Sequence, residues 1–242
     1  MVNRGIAMKK NKLIATFALL GLVATGTAAF AAEDLPQKSK EGMDLTLVDG
    51  GLAVYTQPEV SFSPYTKVLL LDAYVGFREN WVRDFNRSVL RSGRITDADL
   101  EKIRVRLANG FREIFTDTLT NDGGYAMVSA VEEGAIILRP ALVDVALASP
   151  EATMDSPSLN FNLFSGTGMT MVLEVYDAAT SGILARIYNR QDNFSGADGT
   201  VESRSVSRAN EEEIFSNWAD SVLAQLQSDA PMPGDDSSSA SQ

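Results

Sequence analysis

The side chains able to do chemistry in this 242-residue chain are few in kind, because it contains no histidine and no cysteine. Without histidine the usual general base of a serine triad is missing, and with cysteine also absent no ordinary zinc site can form. Disulfides and thiolate nucleophiles are excluded on the same count. Catalysis would have to use carboxylates, lysine, serine, tyrosine or an oxygen-bound metal. Two carboxylates facing each other could hydrolyse a glycoside, and Asp72, Asp144, Glu174 and Asp177 lie on or beside segments that read as strands. Each also has a structural role to fill. Asp177 stands where a hairpin turn favours Asp, Glu174 has a cross-strand arginine within reach, and Asp72 reads as a partnered strand-end acid.

Other constellations are weaker. Asp192 and Asn193 with Ser195, Asp198 and Glu202 gather oxygen ligands in one stretch, but their spacing is not that of an EF-hand. Ser165-Gly166-Thr167-Gly168 precedes a strand and lacks the helix and lysine of a phosphate-binding loop. No cofactor and no metal site is expected.

One segment combines aromatic side chains with basic charge. Phe77, Trp81 and Phe85 recur every four residues, flanked by Arg78, Arg83, Arg87, Arg91 and Arg94. If 77–89 is helical, the rings form one stripe. Exposed, it would suit a partner groove; covered, it is core beneath a longer helix. Phe77, Trp81, Phe85, Arg78, Arg83 and Arg87 are therefore the candidate binding residues.

The elements that must position these groups are legible from periodicity. Between Ile95 and Leu119, Leu100, Ile103, Leu107, Phe111, Ile114, Phe115 and Leu119 recur at three and four, opposite a polar face. That is an amphipathic helix, opened by Thr96-Asp97-Ala98-Asp99 and ended by Asn121-Asp122-Gly123-Gly124. A second helix follows Glu211-Glu212-Glu213, with Ile214, Phe215, Trp218, Ala219, Val222, Leu223 and Leu226 on its apolar face. Trp218 is expected in the core. Strands are read at Val68–Leu71, around Tyr125–Val131, and from Ala141 to Leu147, where Pro140 marks a bulge, an edge or the true start.

Met169–Tyr176 and Ile183–Arg190 are apolar at odd positions and read as a hairpin across Ala178–Gly182. Paired residues share a face, so partner numbers must sum to an even value. This sets Glu174 opposite Arg186 and Val172 opposite Tyr188. The predicted fold is α+β: one two-layer domain, a mixed or antiparallel sheet, with the long helix and the C-terminal helix on one face.

The ends carry different information. Residues 1–31 hold Arg4, Lys9, Lys10 and Lys12, no acid, an apolar run from Leu13 to Ala24, and Ala29-Phe30-Ala31. This is a signal-peptide pattern with cleavage near Ala31 and either Met1 or Met8 as initiator. Cleavage takes the formal charge from −11 to −15 by removing those four cations. So acidic a chain is not expected to bind nucleic acid or insert in a membrane. Residues 32–43 read as a polar lead-in, 44–228 as the domain, and 229–242 as a disordered acidic, Ser-rich tail.

Several stretches together suggest a family. Tyr65-Thr66-Lys67-Val68 leads into LLLDAYV, followed by Trp81 and the ITDADL helix start. ILRPALVDVALA (Ile137–Ala148), Glu174–Asp177 with Thr180, Ser181 and Gly182, and NWADSVLAQL complete the set. The chain resembles domain-of-unknown-function family 3313, bacterial proteins of lipoprotein type. The resemblance implies an envelope location and no assigned activity. This chain has no cysteine to acylate, so a free periplasmic or secreted form is expected. The expected function is a non-enzymatic accessory or protein-interaction domain with an unknown envelope partner. A small-ligand or glycan-binding protein is the alternative, and a carboxylate hydrolase the third reading.

Overall fold

The computed structural model describes residues 35–88, 94–147, 168–192 and 204–228. The signal segment, the C-terminal tail, Arg91 and the proposed oxygen-ligand stretch from Asn193 onward lie outside these residues, as do Ser165–Thr167.

Among the described residues eight strands form one sheet: β1 (Asp44–Asp49), β2 (Leu52–Thr56), β3 (Lys67–Leu70), β4 (Tyr74–Phe77), β5 (Ala126–Met127), β6 (Ala135–Ala146), β7 (Gly168–Asp177) and β8 (Ile183–Asp192). Their order is β1-β2-β8-β7-β6-β3-β5, with β4 also on β6. The contacts of β3 and β4 with β6 are parallel, and the β6–β7–β8–β2–β1 run is antiparallel. Among the described residues three α-helices pack with this sheet: α1 (Trp81–Ser88), α2 (Asp97–Asp117) and α3 (Arg204–Gln227). The α+β class and the mixed sheet are as the sequence predicts.

The α2 helix begins where its cap requires. Thr96 Oγ1 accepts from the Asp99 amide, while the Asp99 carboxylate accepts from the Thr96 amide, a reciprocal capping box. At its other end a π-helical turn, Thr118–Asp122, leads to Gly124 at φ +70°. The α3 helix starts earlier than its acids suggest, at Arg204, so Glu211 lies inside the helix and not in its first turn. It is buried there against Arg106 of α2.

All three helices feed one core. Phe85 of α1, Ile103, Leu107, Phe111 and Phe115 of α2, and Phe215, Trp218 and Val222 of α3 meet the inward side of the sheet. That side is Met169, Met171, Leu173 and Val175 of β7, Ala185 and Ile187 of β8, and Ile136, Leu138 and Leu142 of β6. The even-numbered side chains of β7 (Thr170, Val172, Glu174, Tyr176) are only half-buried, and they occupy the opposite face.

The hairpin register is the one parity demands: Glu174 pairs Arg186 and Val172 pairs Tyr188, with a shift confined to the turn end at Val175/Tyr176. Pro140 sits inside β6, not at its start, opposite Leu173 of β7. The Leu138 carbonyl accepts from Leu71 on the β3 side. By strand alternation the missing Pro140 N–H also faces that side, where β3 has ended and β4 has not begun. Beyond the break, Arg112 and Arg104 of α2 reach the Leu70 and Val75 carbonyls at 3.3 and 3.4 Å. Cations from the helix thus cover this stretch of the sheet.

Candidate functional site: a charged row on the outer face of the sheet

On the face away from the helices, one register line crosses five strands. Leu45 of β1 pairs Tyr55 of β2, Tyr55 pairs Arg186 of β8, Arg186 pairs Glu174 of β7, and Glu174 pairs Arg139 of β6. Strand alternation sends all five side chains to the same side.

Glu174 is the centre of this row. Its Oε1 accepts from Arg186 Nη2 at 2.8 Å and Nε at 3.2 Å. Its Oε2 accepts from Arg139 Nε at 2.7 Å and from the Tyr176 hydroxyl at 2.9 Å, with Arg139 Nη2 also in contact. The Arg139 guanidinium lies over the Tyr176 ring, 5.2 Å from its centroid. Arg186 in turn forks its Nη1 and Nη2 onto the two oxygens of Glu41, each at 3.1 Å. A carboxylate gripped by two guanidinium forks is a charge-assisted network.

The titration behaviour follows from these contacts. Burial pushes Glu174 up, yet the hydrogen bonds and charges of Arg139, Tyr176 and Arg186 outweigh it and hold the carboxyl below its ordinary value. Glu41 is also held low, chiefly by its Arg186 hydrogen bonds. Burial and the Glu174 hydrogen bond push the Tyr176 phenol up to about 12. Glu174 is thus an anion and Tyr176 a neutral phenol near neutrality. Neither is tuned as a general acid or base, whose pKa should lie near the working pH.

The candidate acids are all partnered. Arg112 meets Asp72, which is 93% exposed and so bears no burial cost. Arg78 Nε and Nη2 donate to the two Asp144 oxygens at 3.0 and 3.2 Å, and Asp144 holds a φ of +55° at the β6 bulge. Asp177 accepts from the Thr180 and Tyr65 hydroxyls at 2.7 and 2.8 Å, tying the hairpin turn to the chain before β3. Among the described residues no group of three or more Asp and Glu is arranged to hold a metal.

The aromatic stripe needs a correction. Phe77 belongs to β4, not to a helix, and only Trp81 and Phe85 are on α1. Trp81 is 8% exposed and Phe85 fully buried, so they are core and do not form an exposed patch. The Trp81 ring stacks on Phe77, centroids 5.3 Å apart, and Phe85 lies tilted against Trp81 at 6.2 Å, while Arg104 of α2 covers Phe77 at 5.1 Å. Asn86 fixes α1 to the start of α2 by a two-way carboxamide bond with the Ile95 backbone. Arg78 is engaged by Asp144. Arg83 and Arg87 remain on the surface, where Asp84 pairs with both. The structure does not bring these six residues together as one surface.

The row itself was half visible in the sequence. Parity finds Glu174 opposite Arg186, but the same rule does not reach Arg139, because even positions of β6 (Ile136, Leu138, Leu142) face the core where odd positions of β7 do, and Glu174 pairs an odd-numbered partner there. Glu41 had no local signal.

The fold and the row define an α+β domain that buries its helices on one face and presents a self-neutralised charged row on the other. No family model and no curated protein matches this chain. Solved structures similar to it include two of PelC from Paraburkholderia phytofirmans. One, a dodecamer of a point-substituted PelC, is 11% identical over 74% of this chain and 98% of that one, with a TM-score of 0.37. The other PelC dodecamer is 9% identical over 73% and 96%, with a TM-score of 0.35. Likenesses this distant carry no function across.

Proposed function

We propose that this chain is a non-enzymatic, exported accessory domain that binds another protein on the outer face of its sheet. The observation that carries the reading is the charged row: its carboxylates are already paired and held ionised. Such a row is a poor catalyst, but a partner can cover it without stranding an unpaired charge. Around it stand the half-buried Leu69, Ile137, Val143, Val172 and Tyr188, apolar surface that a partner can still remove from water. The signal-peptide pattern and the resemblance to family 3313 fit a periplasmic or secreted location for this role.

Site-specific photo-crosslinking in intact envelope tests it. A photoreactive residue at Val172, on the outer face, is expected to trap one discrete protein, while one at the exposed Val105 of α2 traps none. Equal trapping at both positions, or none at Val172, overturns the reading.

A further inference from the structure

The N-terminal stretch before β1 is more than a lead-in. Residues 35–42 fold back along β1, the last strand of the sheet on that side. Leu45 N–H donates to the Gln37 carbonyl at 2.9 Å, and Lys38 bridges Asp44. The Tyr55 hydroxyl donates to the Pro36 carbonyl at 2.9 Å, and Glu41 takes the outward fork of Arg186. Every one of these contacts is polar. No side chain from Leu35 to Gly42 is buried, whereas Met43, the next residue, is fully buried. Between the two parts stands Gly42 at φ +85°, a conformation that suits glycine, in a turn closed by Ser39 N–H to the Met43 carbonyl at 2.8 Å and Gly42 N–H to the Ser39 carbonyl at 3.1 Å.

A segment whose side chains are exposed or half-buried and whose cited contacts are hydrogen bonds and ion pairs, next to a buried anchor, opens at low free energy. What it uncovers is specific. The β1 edge regains free backbone groups at Leu45, and Arg186 regains the Nη1/Nη2 fork that Glu41 occupied. An unpaired edge accepts an extended strand by main-chain hydrogen bonds, and a planar guanidinium fork selects a carboxylate.

We infer that residues 35–42 are a built-in stand-in for a partner's extended segment, which pairs with the β1 edge and sets a carboxylate on Arg186 where Glu41 now lies. The strap displays the chemistry of its competitor: extended backbone beside Leu45 and one acid within reach of the fork. This rests on the reading of the chain as a protein-interaction domain and names the edge and the partner chemistry within it. Because the strap is tethered, it competes at a high effective concentration, and weakening it should raise affinity for a segment supplied in trans.

The test uses the full exported chain and a synthetic peptide of residues 35–42, followed by NMR at the Leu45 amide and the Arg186 side-chain N–H. Glu41→Gln is expected to melt within a few degrees of wild type and to speed Leu45 amide exchange. It should bind the peptide about fivefold or more tighter than wild type does, the competitor having been weakened. A peptide with Gln at the Glu41 position, or an Arg186→Lys chain, is expected to lose binding. Equal affinity of wild type and Glu41→Gln, binding of the Gln peptide as well as the Glu peptide, or unchanged Leu45 exchange each overturns the inference. None of these results touches the Val172 crosslink, so the two readings fail separately.

Discussion

Arg186 and Glu174 face each other across β8 and β7 with Nη2 and Oε1 2.8 Å apart, and each is also held from its far side. Arg139 holds Glu174 and Glu41 holds Arg186, so the pair is the middle of a four-charge chain with no net charge. Removing the middle acid leaves two guanidinium groups facing each other in a partly dry site. Glu174→Gln is expected to lower stability by about 2–3 kcal/mol, somewhat below the cost of breaking a fully buried pair because Arg139 is one-third exposed. Urea unfolding followed by tryptophan fluorescence measures it. A change below about 0.5 kcal/mol, the size of an ordinary surface substitution, would show that the row does not stabilise the sheet.

The same row gives a pH dependence with a defined sign. Glu174 and Glu41 both titrate below the ordinary value of 4.5 in the folded chain. Their contribution is therefore fully present above 4.5 and is lost as pH falls through the depressed folded values. Stability is expected to fall with acidification below about pH 4.5, with a shallower slope in Glu174→Gln. Identical slopes in the two chains would refute the assignment.

The aromatic residues on α1 separate core from surface. Phe85→Ala is expected to cost about 3–5 kcal/mol, because the fully buried ring leaves a cavity in the core. Arg83→Ala and Arg87→Ala, at an exposed helix surface, should stay within about 0.5 kcal/mol. Thermal melts of the three variants check the ordering, which an exposed aromatic stripe would reverse.

Adjacent glycines at the β1–β2 turn should respond differently. A Cβ on Gly51 would run into the Arg190 carbonyl oxygen, at the point where the Arg190 amide bonds Gly51. Gly51→Ala is expected to loosen β2 from β8, seen as faster exchange of the Arg190 amide. Gly50 has open space around its Cβ direction but sits at φ +55°. Its alanine variant should show only the backbone strain of about 1 kcal/mol, with Arg190 protection retained.

Local features of this fold were legible because their causes are local. Thr96 and Asp99 are three residues apart, so the capping box that starts α2 can be read directly, as can the stripe from Ile103 to Phe115. The hairpin register followed from parity over a single short turn. The β3–β4 break was not legible, because its reason lies in Pro140, far along the chain on β6. The start of α3 is hidden for a similar cause: Glu211 looks like an N-terminal acid until Arg106 of another helix is placed against it.

The amino-acid sequence by itself determined which chemistries this protein lacks, the period and cap of its long helix, and the pairing of Glu174 with Arg186. Only the tertiary structure decided that Trp81 and Phe85 are core, that Arg139 closes the row from a third strand, and that Glu41 reaches Arg186 across 145 residues. Periodicity reports which face of an element is apolar, but not which neighbour covers it. That choice belongs to the sheet order, which brings together side chains that no local spacing connects.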